Sequence, residues 1–460
     1  MTGFFKNSIS RRELATTAGA GLVGFTQTRA VASNVQSKLR ETVSVFDFMT
    51  AAEIADVKAR TASVDVTAAM QAARDWLATT LGKLVFPNGL YKYATSPNWA
   101  IHHSEVVFEG NVTLRYTGTA NAVVFDASAS DAVVFSAGFC YATKWGWVTR
   151  PNIEAPSTAG HGLYVKSCHH AKIGARVRGC GAASAGLRVD FAVCSEFDIT
   201  VSVNEDGWYS GAKPKYGYFL SRRNAGETTS YCTFVNPIVE GPTIGIYLDR
   251  TLGNTFLGGT SEACSQYGLA TSANAAQDKF YGMDFEVNTI ADVHDLGTGL
   301  VIDQCDTYYK CIFGSTSKNA QLRGGRHASV LFDTGSTNCT GTDLVYNRFN
   351  DGSTMQDAGT ANVMRNIRNI GTGLNYLNGS TKSTGVVGVP NGTTTVISNI
   401  AVVGSKLGEY VVAAYSVSIT GFSISAFVTS DGFVRVVFSN NSGGTINLPA
   451  GTVKVAIFRP

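Results

Sequence analysis

From Gly162 onward the chain is written in short runs in which every second residue is apolar, and a glycine opens each run. "GLYVKSCHHAKI" begins at Gly162, "GLRVDFAVCSEF" at Gly186 and "GIYLDRTLGNTF" at Gly245. Looser copies begin at Gly217, Gly268 and Gly299, so that successive glycines are 24, 31, 28, 23 and 31 residues apart. Strict alternation sends every second side chain to one face of a strand. A repeat of twenty-odd residues made of such strands cannot bury its inner face alone, and stacking repeats solves that problem. The expected architecture is all-β, a right-handed parallel β-helix, with the glycines at tight corners. "NAVVFDASASDAVVFSAGF" from Asn121 reads as its earlier coils. The leucine and asparagine spacing of leucine-rich repeats, which share the period, is absent.

Two stretches upstream have a helical period. "TAAEIADVKAR" starts at Thr50; in "DVTAAMQAARDWLATT" from Asp65, Val66, Met70, Ala73 and Leu77 share a face, with Asp65 as the capping residue. An open β-helix end exposes core and unpaired strand edges, and the second helix is assigned to cover it. "LVFPNGLYKY" (84–93) reads as strand, turn, strand. Beyond about Thr384 the text turns to longer alternating strands parted by "NG", "DG" and "SGG", which predicts a C-terminal antiparallel β-sandwich. The expected boundaries are an N-terminal segment 1–42, the start of the β-helix with its short helical cap 43–96, the parallel β-helix 97–369, a linker 370–385 and the sandwich 386–460.

Composition narrows the function more than the fold. Charged residues make up 15% and the net charge is +3 with no basic block, so no electrostatic footprint for nucleic acid is present. No apolar run reaches membrane-spanning length. Nine cysteines are scattered with no C-x-x-C pair, and the seven histidines include no H-E-x-x-H; buried thiols are expected, with no metal and no cofactor. The pairs His102-His103 and His169-His170 read as alternating wall positions. No G-x-S-x-G occurs, which leaves a nucleophilic serine unsupported.

Three runs carry a second repeat: "FVNPIVE" (234–240), "FLGGTSE" (256–262) and "FYGMDFE" (280–286). Each is Phe, five residues, Glu. In stacked coils about 4.8 Å apart, Glu240, Glu262 and Glu286 would form a ladder. Glycoside hydrolysis needs two carboxylates, about 5–5.5 Å apart when it retains configuration and about 6.5–9.5 Å when it inverts. Mutual repulsion would raise one pKa, as a general acid requires. The plain alternative is a solvated acidic ladder. Asp284, two residues before Glu286, should share its face. The apolar anchors Ile173, Phe197, Phe234, Phe256, Phe280 and Phe313 are 24, 37, 22, 24 and 33 apart, which predicts long insertions at 204–216 and 291–297 on either side of the glutamates. Long loops on a rigid solenoid carry binding sites. Glu205, Asp206, Trp208, Tyr209, Tyr216 and His294 are therefore the expected substrate-binding residues, with the aromatics stacking on sugar rings or packing the loop. "KWGW" (144–147) is a further sugar-binding candidate.

The run "VQSKLRETVSVFDFM" (35–49), followed by "TAAMQAARDWL" and "KLVFPNGLYKY", resembles the start of the β-helix in bacteriophage tailspikes and tail fibres of the pectate-lyase-like type. Phe48, the run 68–73 and Phe86, Pro87, Gly89 and Tyr91 carry the likeness. The acidic G-D-G-x-x-D-D stretch common in that family is replaced by "TAAEIADVKARTASVD". The resemblance implies a homotrimer on the virion tail, outside the cell. It implies an N-terminal segment bound to tail or baseplate proteins, a C-terminal sandwich serving trimerisation or carbohydrate binding, and recognition, with depolymerisation, of a capsule or lipopolysaccharide. Asp292 falls where "DFEVN...D" in related chains places an acid. For the N-terminal segment the residues themselves leave alternatives. Arg11-Arg12 before a small-residue run, with "RAVAS" following, has the form of a twin-arginine export signal; Gly19, Gly21 and Gly24 spell G-x-G-x-x-G without a preceding strand. The virion anchor is the preferred expectation. Two rivals to a glycosidase stand beside it: a non-enzymatic adhesin or structural fibre, and an exported polysaccharide lyase using His294 or Tyr281 as base.

Overall fold

In the computed structural model, residues 24–25, 33–34, 42–134, 138–202, 212–346, 355–365, 367–369, 375–376, 379–402 and 405–458 are described. The chain divides into two compact units, Met1–Tyr218 with Arg222–Phe234, and Phe219–Ser221 with Val235–Pro460. Both contain coils of a parallel β-helix.

In the first unit the apolar-in, polar-out alternation produces parallel ladders. Leu84, Val106, Trp145, Ile173, Phe197 and Phe234 follow one another in register and are all buried. Tyr91, Leu114, Ile153, Val177 and Val201 form a second inward column. The Phe197 and Phe234 rings stack at 5.0 Å. Burying each such side chain contributes about 1.5–3 kcal/mol.

The start of this unit is closed by two helices, α1 (Ala51–Ala59) and α2 (Thr67–Thr80). Thr50 and Glu53 form a reciprocal capping box on α1. α2 buries Ala69, Met70, Ala73, Arg74 and Leu77, the face its spacing predicts. Its N-cap position is Val66 and not Asp65, although Asp65 Oδ1 still accepts from the Thr67 amide at 2.8 Å. The buried Arg74 satisfies its charge by donating to the Asn98 carbonyl at 2.8 Å and pairing with Asp75.

The second unit continues the pattern with Phe256, Phe280, Ile302, Leu322, Gly341 and Met364 in register. Phe313 is not the next anchor of this column. It aligns with Asp295 and Phe332 on another face, so the apparent 33-residue coil does not exist. The stretch 291–297 holds a regular strand, Ala291–Asp295, and is not an inserted loop. Some interior positions are polar and fully paired. Asp278 accepts from Thr251 Oγ1 at 2.5 Å and from the Asn254 backbone and side-chain amides at 3.0 and 2.9 Å. Asp295 accepts from Thr271 Oγ1 at 2.6 Å and from the Gly297 amide at 3.0 Å.

The repeating glycines have two distinct causes. Gly186 lies within the strand Ala185–Val193 and Gly162 immediately before the strand Leu163–His169, and neighbours crowd both; a methyl on Gly162 would sit 2.5 Å from Val177 Cγ1. Gly299 belongs elsewhere. It has φ +71° and shares a corner column of left-handed residues with Gln277, Asn319 and Asn338. His103 and His170 also have positive φ, at 54° and 51°, and so turn corners where wall positions were expected.

After the coils, strands Gly379–Thr384, Gly451–Phe458 and Tyr410–Tyr415 form one antiparallel sheet, and Thr394–Ala401, Phe433–Asn440 and Phe422–Ser430 another. The first of these strands lies in the segment read as a linker. The sheets enclose a core that includes Val389, Val436, Phe438, Leu448 and Val455. The "NG", "DG" and "SGG" glycines, Gly392, Gly432 and Gly443, all have positive φ. None of the nine cysteines forms a disulfide; all but Cys194 are buried. No helix among the described residues is long and apolar enough to cross a membrane.

Candidate functional site

The sequence forces Glu240, Glu262 and Glu286 into line. Each ends a three-residue strand whose middle residue, Val239, Ser261 or Phe285, points inward, so the glutamate points out. Each is followed by a corner residue with positive φ: Gly241 (82°), Ala263 (54°) and Val287 (56°). The three strands pair in parallel with Glu240 opposite Glu262 and Glu262 opposite Glu286. All three glutamates are half-buried.

Asp284 shares the outward face, two residues before Glu286, and is in register with Asp306. Its Oδ1 is buried without a hydrogen-bond partner. Asp306 is held as an anion by Arg326, whose Nε donates at 2.8 Å and whose amide donates at 2.9 Å. Although burial pushes the other way, these bonds keep the Asp306 carboxyl below its ordinary value.

The electrostatics single out Glu262. Partial burial, a hydrogen bond with Glu286 and the charges of Glu286, Glu240 and Asp284 raise its pKa to about 7. Burial and the charges of Glu286 and Asp306 also raise Asp284. The middle carboxyl, with its pKa raised into the neutral range, is suited to acid–base chemistry.

Tyr308 is the member that the Phe-x5-Glu pattern hides. Thr307 follows Phe285 in register, so Tyr308 takes the next step after Glu286. The signal exists one level up: an apolar anchor, five residues, then an outward polar group, with Ile302 replacing Phe. Burial first, then the charges of Asp284, Asp306 and Glu286, raise the Tyr308 hydroxyl pKa, and Arg326 offsets this in part. Tyr308, Asp306 and Arg326 thus extend the acidic ladder with a phenol and an ion pair.

Asp292 is placed differently. It follows Gly245 and Gly268 in their column, its side chain is fully buried, and it accepts from Asn288 Nδ2 at 2.8 Å and from the Tyr309 amide at 2.6 Å. Burial raises its pKa to about 6. It pins two neighbouring turns of the coil from inside, away from any polymeric substrate. His294 lies on the sheet beyond the corner, stacked on Tyr267 at 4.9 Å. Tyr281 is exposed on the preceding sheet, in register with Leu257 and Asp303. Tyr216 belongs to the first unit, with Lys215 Nζ 5.1 Å from its ring. Glu205, Asp206, Trp208 and Tyr209 lie outside the described residues. Among the described residues no group of three His, Cys, Asp or Glu side chains could hold a metal ion.

Solved structures similar to this chain include the tailspike of bacteriophage Dettilon, at 10% identity over 92% of this chain and 95% of that one, with a TM-score of 0.46. The chain is similar to phage tailspikes. A mutant tailspike of E. coli bacteriophage HK620, in complex with a pentasaccharide, matches at 10% identity over 98% of this chain and 99% of that one, with a TM-score of 0.48. PfbA, a surface adhesin of Streptococcus pneumoniae, matches at 12% identity over 72% and 94% of the two chains, with a TM-score of 0.43. No protein-family model and no curated protein matches the chain. At these identities the comparison assigns none of the residues described above.

Proposed function

We propose that the chain is a phage tailspike or tail fibre subunit that binds a bacterial surface polysaccharide and cleaves it by glycoside hydrolysis at the Glu240–Glu262–Glu286 ladder. The observation that carries the reading is Glu262, a carboxyl held protonated near neutrality between two register-paired carboxylates. Glu262 is the general acid that protonates the leaving oxygen. Glu286 is engaged in a hydrogen bond with Glu262, so the second carboxylate is Glu240, one coil or about 4.8 Å along the axis, acting from the opposite side of the scissile bond. That step is near the separation of about 5–5.5 Å used in retention of configuration, so a retained anomer is the expected product. Tyr308 and the Asp306–Arg326 pair border the site and orient the chain.

The tail-fibre part of the proposal draws on the resemblance of residues 35–93 to the start of tailspike β-helices. It includes a homotrimer on the virion tail, attached through the N-terminal segment to tail or baseplate proteins. Incubation with a panel of purified capsules and lipopolysaccharides, followed by product sizing, tests it. Shortened chains support hydrolysis, an unsaturated product absorbing in the ultraviolet identifies a lyase, and binding without shortening identifies an adhesin.

A further inference from the structure

The first unit carries a second cleft, built by a difference in coil length. Between Trp145 and Asn152 the chain takes seven steps, as it does between their register partners Val106 and Thr113. On the next coil the partners Ile173 and Arg176 are three apart, within one straight strand. The four additional residues bulge outward and leave a ledge where two looped coils meet a straight one. The bulge is seated by Gly146, φ +62°, against Gly174; a methyl on either would strike the other's carbonyl oxygen.

The ledge encloses a cleft of about 550 Å³, within the roughly 300–1,000 Å³ usual for ligand sites. Four features of its lining point to one kind of ligand. Asn152 is 8% exposed; its Nδ2 donates to Asn111 Oδ1 at 3.1 Å, but its Oδ1 has no donor. A buried amide oxygen left in this state can be satisfied by a donor from outside the chain, a ligand hydroxyl or an ordered water. Arg176 is exposed and forms no ion pair among the described residues. Arg150 is fixed by Asp198 at 2.8 Å and Thr200 at 3.3 Å, which neutralises the acid in the lining. Val148, 82% exposed, offers an apolar surface at the mouth. Val148 also borders a smaller hollow of about 230 Å³ beside Trp147, where Lys172 Nζ lies 5.2 Å from the indole ring.

We propose that this cleft is a non-catalytic binding site for an acidic saccharide. A sugar carboxylate pairs with Arg176, a hydroxyl donates to Asn152 Oδ1, and the apolar face of the ring rests on Val148 towards Trp147. A guanidinium recognises a carboxylate with two parallel hydrogen bonds, and aromatic or aliphatic surface suits the C–H face of a pyranose. The site is independent of the hydrolytic reading, because none of its residues belongs to the glutamate ladder.

The test uses the full chain carrying Glu262→Gln, so that no probe is consumed. Short oligomers of galacturonate, hyaluronate and sialate, with neutral maltooligosaccharide as control, are titrated calorimetrically. One or more acidic probes bind and the neutral control does not. Arg176→Gln then weakens binding about 10- to 100-fold, the effect of losing a hydrogen bond to a charged group, and Asn152→Ala also weakens it. Arg176 is exposed, so its replacement leaves the thermal transition in place and decides the matter even if the Asn152 variant fails to fold. Unchanged affinity in the Arg176 variant overturns the proposal, as does failure of every acidic probe. Polysaccharide cleavage by the parent chain is read separately, and neither result determines the other.

Discussion

Glu262 and Glu286 occupy paired positions on adjacent coils, and partial burial together with the hydrogen bond between their carboxyl groups raises the Glu262 pKa to about 7. Two acids one coil apart cannot both ionise cheaply. The backbone register thereby sets a protonation state.

Replacing Glu262 by Gln removes the titratable group with little change in shape. General acid catalysis contributes about 10²–10⁴-fold, so turnover of a cleaved polysaccharide is expected to drop by that factor while affinity is kept. Reducing-end release and calorimetry on the same preparation separate the two quantities. Parent-like turnover in the single Gln variants at positions 240, 262 and 286 would refute a catalytic ladder.

The rate should follow the protonated form of Glu262 and decline as pH rises through about 7. Glu240 and Glu286 raise that value by their charge. Glu240→Gln or Glu286→Gln is therefore expected to move the alkaline limb to lower pH, whatever else it does to the rate. A limb that stays in place in both variants means that another group titrates.

Buried Asp278 has a pKa raised to about 6, chiefly by desolvation, against an ordinary 3.8. Between those values the folded chain binds more protons than the unfolded one, so stability from this group is lost as pH rises through that window and not as it falls. Asp292, also raised to about 6, acts in the same direction. The urea midpoint should drop between pH 4.5 and pH 7.5, and Asp278→Asn should shrink that drop. An equal drop in the variant removes Asp278 from the account.

Gly245 faces Ser261 Oγ and the Gly268 carbonyl so closely that a methyl would overlap both. Gly245→Ala should cost about 1–3 kcal/mol, the usual range for overpacking, and lower the melting temperature. Gly444, with nothing near an added methyl, is the control and should tolerate Ala. Similar melting of the two variants would contradict the crowding.

All nine cysteines are thiols, and Cys194 alone among them is exposed. A thiol reagent should label one cysteine quickly in the folded chain and nine after denaturation. Mapping the quick site to any residue but Cys194 would place the surface wrongly.

Much of this molecule is written in the one-dimensional text. Alternation fixed which residues of each strand face inward, and the thrice-repeated Phe-x5-Glu was enough to align Glu240, Glu262 and Glu286, because a constant offset from stacked phenylalanines puts the glutamates at like positions although the coils differ in length. The helical face of α2 and the glycine turns of the sandwich were equally local. What the text did not contain is the parity of the corners. A residue with positive φ, such as Ala263, Val287 or Gln304, turns the chain and resets which side chains face in. This placed Asp292 inside the coil, moved Phe313 to another column and put Gly186 within a strand instead of at a corner. It also set Tyr308 beside Glu286, and the four-residue difference between neighbouring coils opened the cleft at Asn152. Alternation acts within a strand, whereas register between coils depends on corner geometry and packing across 20 or more residues, and only the folded chain adds those contributions together.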